Sequence, residues 1–156
     1  MSPRSVFDDT LRQAPLLHVR DDLATAVRCL LDSGLPALPV VDGEERFAGI
    51  FGEREFMRAL FPGYLDQLKG VAFLRRSLDD TLERRQDCAH ERVAEHMNTE
   101  HVDVGVDHSD AQLAEIFLHH RVLIVPVTDD GRVQGVVVRS AFFRALAQRL
   151  LDAANG

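Results

Sequence analysis

The sequence predicts an α+β fold: tandem β-α-β-β-α repeats with a helical segment inserted between them. Two observations carry that expectation, an ordered internal similarity and an apolar spacing that switches between strand and helix periods inside each similar block. Val19 through Pro39 and Val106 through Pro126 are blocks of equal length. Val19 falls on Val106, Ala24 on Ala111, Leu31 on Leu118, Pro39-Val40 on Pro126-Val127, and Asp42 on Asp129. One residue is skipped in the turn, where Asp42-Gly43-Glu44-Glu45-Arg46 is longer than Asp129-Asp130-Gly131-Arg132. Beyond it Gly49 falls on Gly135, Phe56 on Phe142, and Arg58-Ala59-Leu60 on Arg144-Ala145-Leu146. Matches that keep one order with a single gap mark a duplicated unit.

Each copy opens on a strand-sized apolar segment, Leu16-Leu17-His18-Val19 and Val102-Asp103-Val104-Gly105-Val106. Asp21-Asp22 then precedes Leu23–Leu31, and Asp107–Asp110 precedes Ala111–Leu118. Asp and Ser oxygens accept from the unpaired amides of a first helical turn, so a helix starts at each place. Leu23, Val27, Leu30 and Leu31 share one helical face, as do Leu113, Ala114, Ile116 and Phe117. Two strands joined by an Asp/Gly turn follow, Ala37–Val41 to Phe47–Phe51 and Leu123–Val127 to Arg132–Val138. A last helix carries Phe56, Met57, Leu60 and Phe61 in one copy, and Phe142, Phe143, Leu146, Leu150 and Leu151 in the other.

Between the copies, Phe61-Pro62-Gly63-Tyr64 interrupts the pattern. Leu65, Leu68, Val71, Ala72, Leu74, Leu78 and Leu82 then recur at three- and four-residue spacing, predicting one or two amphipathic helices that end near Asp87-Cys88. Their apolar face needs cover, from the repeats or from a partner chain. The chain therefore divides into residues 1–61, an inter-repeat helical segment 62–92, and residues 93–156. A unit of about 60 residues buries only a marginal core, so the two copies are expected to pack on each other.

Composition narrows the function classes. The chain has 156 residues, 46% apolar and 28% charged, with Lys+Arg 18 against Asp+Glu 25 and a net charge of -7. An acidic surface argues against non-specific binding to nucleic acid or to an anionic membrane. The longest apolar runs, Val122–Val127 and Val133–Val138, are strand-sized and far below the roughly 20 residues that span a bilayer. The start of the sequence has no apolar run of signal-peptide length before Asp8-Asp9. Two cysteines, Cys29 and Cys88, make no disulfide framework. These features predict a soluble cytoplasmic protein.

The repeat resembles a pair of cystathionine-β-synthase (CBS) domains, the arrangement called a Bateman module. The resemblance rests on Leu38-Pro39-Val40-Val41-Asp42 followed by Gly49-Ile50-Phe51, and on Val125-Pro126-Val127-Thr128-Asp129 followed by Gly135-Val136-Val137. Val93-Ala94-Glu95-His96-Met97-Asn98 is similar to the family's entry into a repeat. It covers most of the chain outside roughly Pro62–Arg92. It implies a regulatory or binding role, a disc-like homodimer, and clefts between the repeats that hold AMP, ADP, ATP or S-adenosylmethionine. The other expectation is an interaction scaffold with vestigial clefts that binds an unknown protein partner; the extra segment Leu65–Arg85 favours it.

Such a cleft needs a flat apolar slot for a purine, an acid for the ribose hydroxyls, and a helix N-terminus for phosphate. The resemblance implies Gly-hydrophobic-hydrophobic-(Ser/Thr)-x-x-Asp at that helix. The first copy reads Gly49-Ile50-Phe51-Gly52-Glu53-Arg54-Glu55, with Gly52 at the hydroxyl position and Glu55 at the acid. The second reads Gly135-Val136-Val137-Val138-Arg139-Ser140-Ala141 and has no acid. The ligand is therefore expected in the first cleft. Glu55 holds the ribose, the Gly52 and Glu53 amides with Arg54 face phosphate, and His18, Val19, Ala37, Leu38 and Pro39 line the base slot. Arg139 with Ser140 is left as an anion site in the second cleft.

No catalytic residue or metal site is expected. Cys88, His90, His96, His101 and His108 lack the paired spacing of a structural zinc site, and His119-His120 suits a helix C-terminus. Ser33-Gly34 and Ser140 lie in no nucleophile elbow, and no Gly-rich phosphate loop occurs.

Overall fold

In the computed structural model, residues 5–61, 78–100 and 102–156 are described. Helix α1 (Val6–Thr10) leads into β1 (Leu17–His18), α2 (Leu23–Ser33), β2 (Ala37–Val41), β3 (Phe47–Gly52) and α3 (Glu53–Leu60). Helix α4 (Leu78–Arg85) and two 3₁₀ turns, Gln86–His90 and Val93–Glu95, lead to the second copy. That copy comprises β4 (Val104–Gly105), α5 (Asp110–His119), β5 (Ile124–Asp129), β6 (Arg132–Val138) and α6 (Arg139–Asn155). Most of the inserted segment's expected helix, up to Ser77, falls outside the described residues.

The repeat read from the sequence is the repeat of the fold. Each copy forms a three-stranded sheet, in order β1-β2-β3 and β4-β5-β6. The first strand pair is parallel, as a helical crossover requires, and the hairpin pair is antiparallel. Even the irregularity is duplicated, with register shifts at Val40/Val41 and at Val127/Thr128. The helices start where side-chain oxygens cap them. The Asp22 carboxylate accepts from the Thr25 amide at 2.8 Å, and Ser109 and Gln112 cap one another reciprocally. Gly34 ends α2 at φ 69, the left-handed region that favours glycine.

Leu38, Val40 and Phe51 of one sheet join Ile124, Val125, Val127, Val136 and Val137 of the other in a single buried apolar cluster. The join is tightened by an exchange. The segment ahead of β1 crosses to the second sheet, where Arg12 and Val136 trade both backbone hydrogen bonds at 3.0 and 2.9 Å. The segment ahead of β4 crosses to the first, where Asn98 and Ile50 do the same at 2.8 and 2.9 Å. The Asp110 carboxylate also accepts from the Val6 and Phe7 amides, at 2.8 Å each. Each lead-in thus packs on the copy that it does not precede in sequence. The exchange accounts for the paired glycines of the motif. A Cβ on Gly49 would lie 2.6 Å from the Asn98 carbonyl oxygen, and one on Gly135 would lie 2.8 Å from that of Arg12.

Two helical faces differ from expectation. Leu31, read as part of the buried stripe of α2, is 77% exposed, and its counterpart Leu118 is 81% exposed. Ala26 takes the buried place beside Leu23; Leu30 still packs on the core, while Leu31, one residue on, lies off that stripe. In α4, Leu78 and Leu82 are exposed as well, so the cover expected for that apolar face is not supplied at these two positions. The 3₁₀ turn that follows does bury Cys88.

Candidate functional site

The register of β2 and β3 brings the candidate residues together at one end of the first sheet. Ala37 lies opposite Gly52, immediately before α3. A Cβ on Gly52 would sit 2.4 Å from the Ala37 Cβ and 2.5 Å from the Pro36 carbonyl oxygen, which is why the hydroxyl position of the motif holds no side chain here. Leu38 and Pro39 are buried within β2.

Glu55 is buried, and its Oε1 accepts from the Gly52 amide at 2.9 Å, capping α3. Burial pushes its carboxyl above the usual range, opposed by the hydrogen bonds from Gly52 and its own amide and by Arg58 and Arg54. The Glu53 amide donates to the Pro36 carbonyl at 3.0 Å. The two amides expected to face phosphate, on Gly52 and Glu53, are therefore both satisfied inside the protein. What α3 presents to the cleft is side chains, Arg54 and Arg58.

Other walls come from the second copy, and sequence reasoning missed them. A cleft of about 350 Å³ is lined by Arg54, Glu55, Arg58, Asn98, Glu100, His119, His120 and Arg121. Beneath it an inner slot, bounded by Ala37, Ile50, Val122 and Leu123, narrows to about 10 Å³, room for a single water. Asn98 reaches the cleft because its lead-in crosses over, which no local pattern announces. Arg121-Val122-Leu123 carried a signal, since it aligns with Gly34-Leu35-Pro36 just ahead of the Pro-Val strand. Across the mouth an Arg54 Nη1 donates to the Arg121 carbonyl, and His120 Nδ1 lies 2.7 Å from Glu100 Oε1. Arg58 and Arg121 have no ion-pair partner among the described residues.

His18 and Val19 do not join this group. His18 pairs with Val41, at the far end of β2 from Ala37, and its Nε2 lies 3.1 Å from Glu45 Oε1. The Val19 amide donates to the Val41 carbonyl. Arg139 and Ser140 stand exposed in the first turn of α6, where the Arg139 amide donates to the Leu123 carbonyl just as Glu53 does to Pro36. Among the described residues one group has metal-ligand proximity, Glu91, Glu95 and His96 within 4.8 Å of one another. Its atoms are already engaged: Glu91 pairs with Arg85 and His96, and Glu95 accepts from the Arg92 amide.

Two sheets joined through exchanged lead-ins, with an arginine-lined cleft at their seam, define a paired-repeat module. Residues 9–62 and 93–148 match the family model of the CBS domain, and the chain belongs to that family as a tandem pair. Among solved structures it resembles the CBS domain of a CBS domain containing membrane protein from Sphaerobacter thermophilus, with TM-score 0.68, 19% identity, and 90% of this chain and 86% of that chain covered. A putative acetoin utilization protein (AcuB) from Vibrio cholerae gives TM-score 0.68 at 18% identity, over 97% of this chain and 96% of that one. CBSX2, solved in complex with AMP, gives TM-score 0.65 at 17% identity, over 94% and 98%. At these identities the likeness is one of fold. No helix of the described residues is long and apolar enough to cross a membrane.

Proposed function

We propose that the chain is a regulatory module that binds an adenosine nucleotide in the first cleft, with its phosphates against Arg54, Arg58 and Arg121. The observation that carries this reading is that three arginines line one cleft of a chain whose net charge is -7. Glu55 and Glu100 line the same cleft, but Glu55 caps α3 and Glu100 pairs with His120, and the surplus of positive charge suits an anion. The complex of CBSX2 with AMP supports an adenosine ligand on this fold. The charge of the cleft orders the candidates: ATP and ADP first, AMP next, and the sulfonium cation S-adenosylmethionine last. Calorimetry against the four ligands tests this, and absence of heat with all of them overturns it. The variant Arg121→Ala should weaken ADP by roughly tenfold or more, the worth of one charge-assisted hydrogen bond.

The same reading makes the chain a homodimer. Leu31 and Leu118 are equivalent in the two copies, as are Met57 and Phe143, and all four are more than half exposed. Apolar residues exposed in matching pairs suit a partner with the same pseudo-symmetry, a second copy of this chain. Sedimentation should show a dimer that Leu31→Asp with Leu118→Asp dissociates. A scaffold that takes an unidentified protein partner is the second reading, favoured by the narrowness of the inner slot; a thermal-shift screen in which no nucleotide raises stability would support it. Both readings describe binding rather than catalysis, and both place the chain in the cytoplasm, in keeping with free Cys29 and Cys88.

A further inference from the structure

The outer cleft is large enough for a phosphate chain, but the slot beneath it admits no purine. Its walls come from both copies: Ala37, Ile50 and Glu55 from the first, Val122 and Leu123 from the second, with Asn98 between them. The widening needed to admit a base must part these walls. Among the described residues, one side-chain hydrogen bond spans them at the entrance. Arg54 rises from the first turn of α3 and donates to the backbone carbonyl of Arg121, in the loop that leads into β5. Arg58, one helical turn further on and lining the same mouth, makes no hydrogen bond or ion pair across it among the described residues.

We propose that Arg54 is an autoinhibitory latch, holding the slot between the copies shut until an anion in the outer cleft draws its guanidinium away. An arriving phosphate offers that guanidinium a charged acceptor in place of a neutral carbonyl, and charge-assisted hydrogen bonds are the stronger kind. The phosphate then opens the way for the base, so the two halves of a nucleotide bind with positive coupling. The slot's apparent affinity for a base is its intrinsic affinity multiplied by the fraction of molecules in which it is open. The ligand in this scheme rests on the adenosine reading of the cleft; the contact that shuts the slot does not.

The test uses the full chain and splits the ligand into adenosine and inorganic pyrophosphate. In the wild type, saturating pyrophosphate should tighten adenosine binding about threefold to tenfold, the scale of one exposed charged hydrogen bond. The variant Arg54→Ala should bind adenosine alone that much more tightly and gain nothing further from pyrophosphate. Arg58→Ala, which removes the same charge without touching the latch, should weaken pyrophosphate and give no gain in affinity for adenosine alone. Equal adenosine affinity in wild type and Arg54→Ala overturns the latch, as does the same gain in Arg58→Ala. If no adenosine or nucleotide binds any of the three proteins, the adenosine reading fails, and hydrogen exchange judges the latch separately. Faster exchange of the Val122 and Leu123 amides in Arg54→Ala supports it, and unchanged exchange overturns it.

Discussion

Replacing Glu55 by glutamine or by alanine separates two effects that this carboxylate combines. Its oxygen satisfies the Gly52 amide at the start of α3, and its charge sits where little water reaches, at 6% exposure. Glutamine keeps an acceptor of the same reach and removes the charge; alanine removes both. Loss of the acceptor leaves an amide unpaired at a helix start, a cost of about 1–2 kcal/mol. For a chain of this size that lowers the melting temperature by about 2–8 °C. The charge acts through pH. Burial raises the folded carboxyl above its ordinary value of 4.5, so folding penalises the ionised form. That penalty is full above the raised value and fades as the pH falls through it toward the ordinary one. Wild type should therefore gain stability relative to Glu55→Gln on acidification across that interval. Asp22 and Asp42 work in the opposite sense, their carboxyls lowered chiefly by hydrogen bonds from Thr25 and from the Arg46 amide. Their stabilisation is lost as the pH falls, but it is common to both proteins and cancels in the difference. Thermal unfolding followed by circular dichroism, at matched protein concentration over about pH 4 to 8, gives both quantities. The reasoning is refuted if Glu55→Ala melts with the wild type, or if the gap between Glu55→Gln and the wild type does not change with pH.

Three further substitutions test the packing around the seam. Gly52→Ser, which supplies the family's hydroxyl, drives a Cβ to 2.4 Å from that of Ala37; a loss of about 1–3 kcal/mol in urea unfolding is expected, with no gain in nucleotide affinity. Gly49→Ala meets the Asn98 backbone at 2.6 Å and should cost a similar amount, about 1–3 kcal/mol, while speeding exchange of the Ile50 and Asn98 amides that bridge there. Asp110→Ala strips the acceptor from the Val6 and Phe7 amides; destabilisation of about 1–3 kcal/mol is expected, with the largest rise in hydrogen exchange confined to Val6–Thr10.

What the sequence disclosed and what it hid have separate physical causes. The strands, hairpins and caps were legible because each is a local device: Asp22 and Ser109 cap the amides of their own first turns, and the Asp/Gly turns close neighbouring strands. The pairing of Ala37 with Gly52 followed from that same hairpin. The placement of His18 did not, because a parallel register depends on a crossover and not on a turn, and it set His18 beside Val41. Asn98 and Arg121 stayed hidden for a related reason. They belong to the second copy in sequence; Asn98 reaches the first copy's cleft through a crossing segment, and Arg121 through the packing of the two copies on each other. Glu55 was legible as an acid at the right spacing, while its use as a helix cap needed the three-dimensional path of α3. Leu31 misled because apolar residues can be counted on a wider face than the one that is covered: the stripe that packs is Leu23, Ala26 and Leu30, and Leu31 lies at its edge.

The crossing of the lead-in segments sets an order of events during synthesis. The Val6 amide and the Asp110 carboxylate that receives it are 104 residues apart. At about 5–20 residues per second, roughly 5–20 seconds separate the emergence of one from the other. Through that interval the amino-terminal segment has no place to settle, while the first hairpin can already close. The nascent chain thus carries unmated apolar residues, Val6-Phe7 along with the Leu38, Val40 and Phe51 face of the first sheet, until their late partners leave the ribosome, and there a chaperone or a protease would meet the protein.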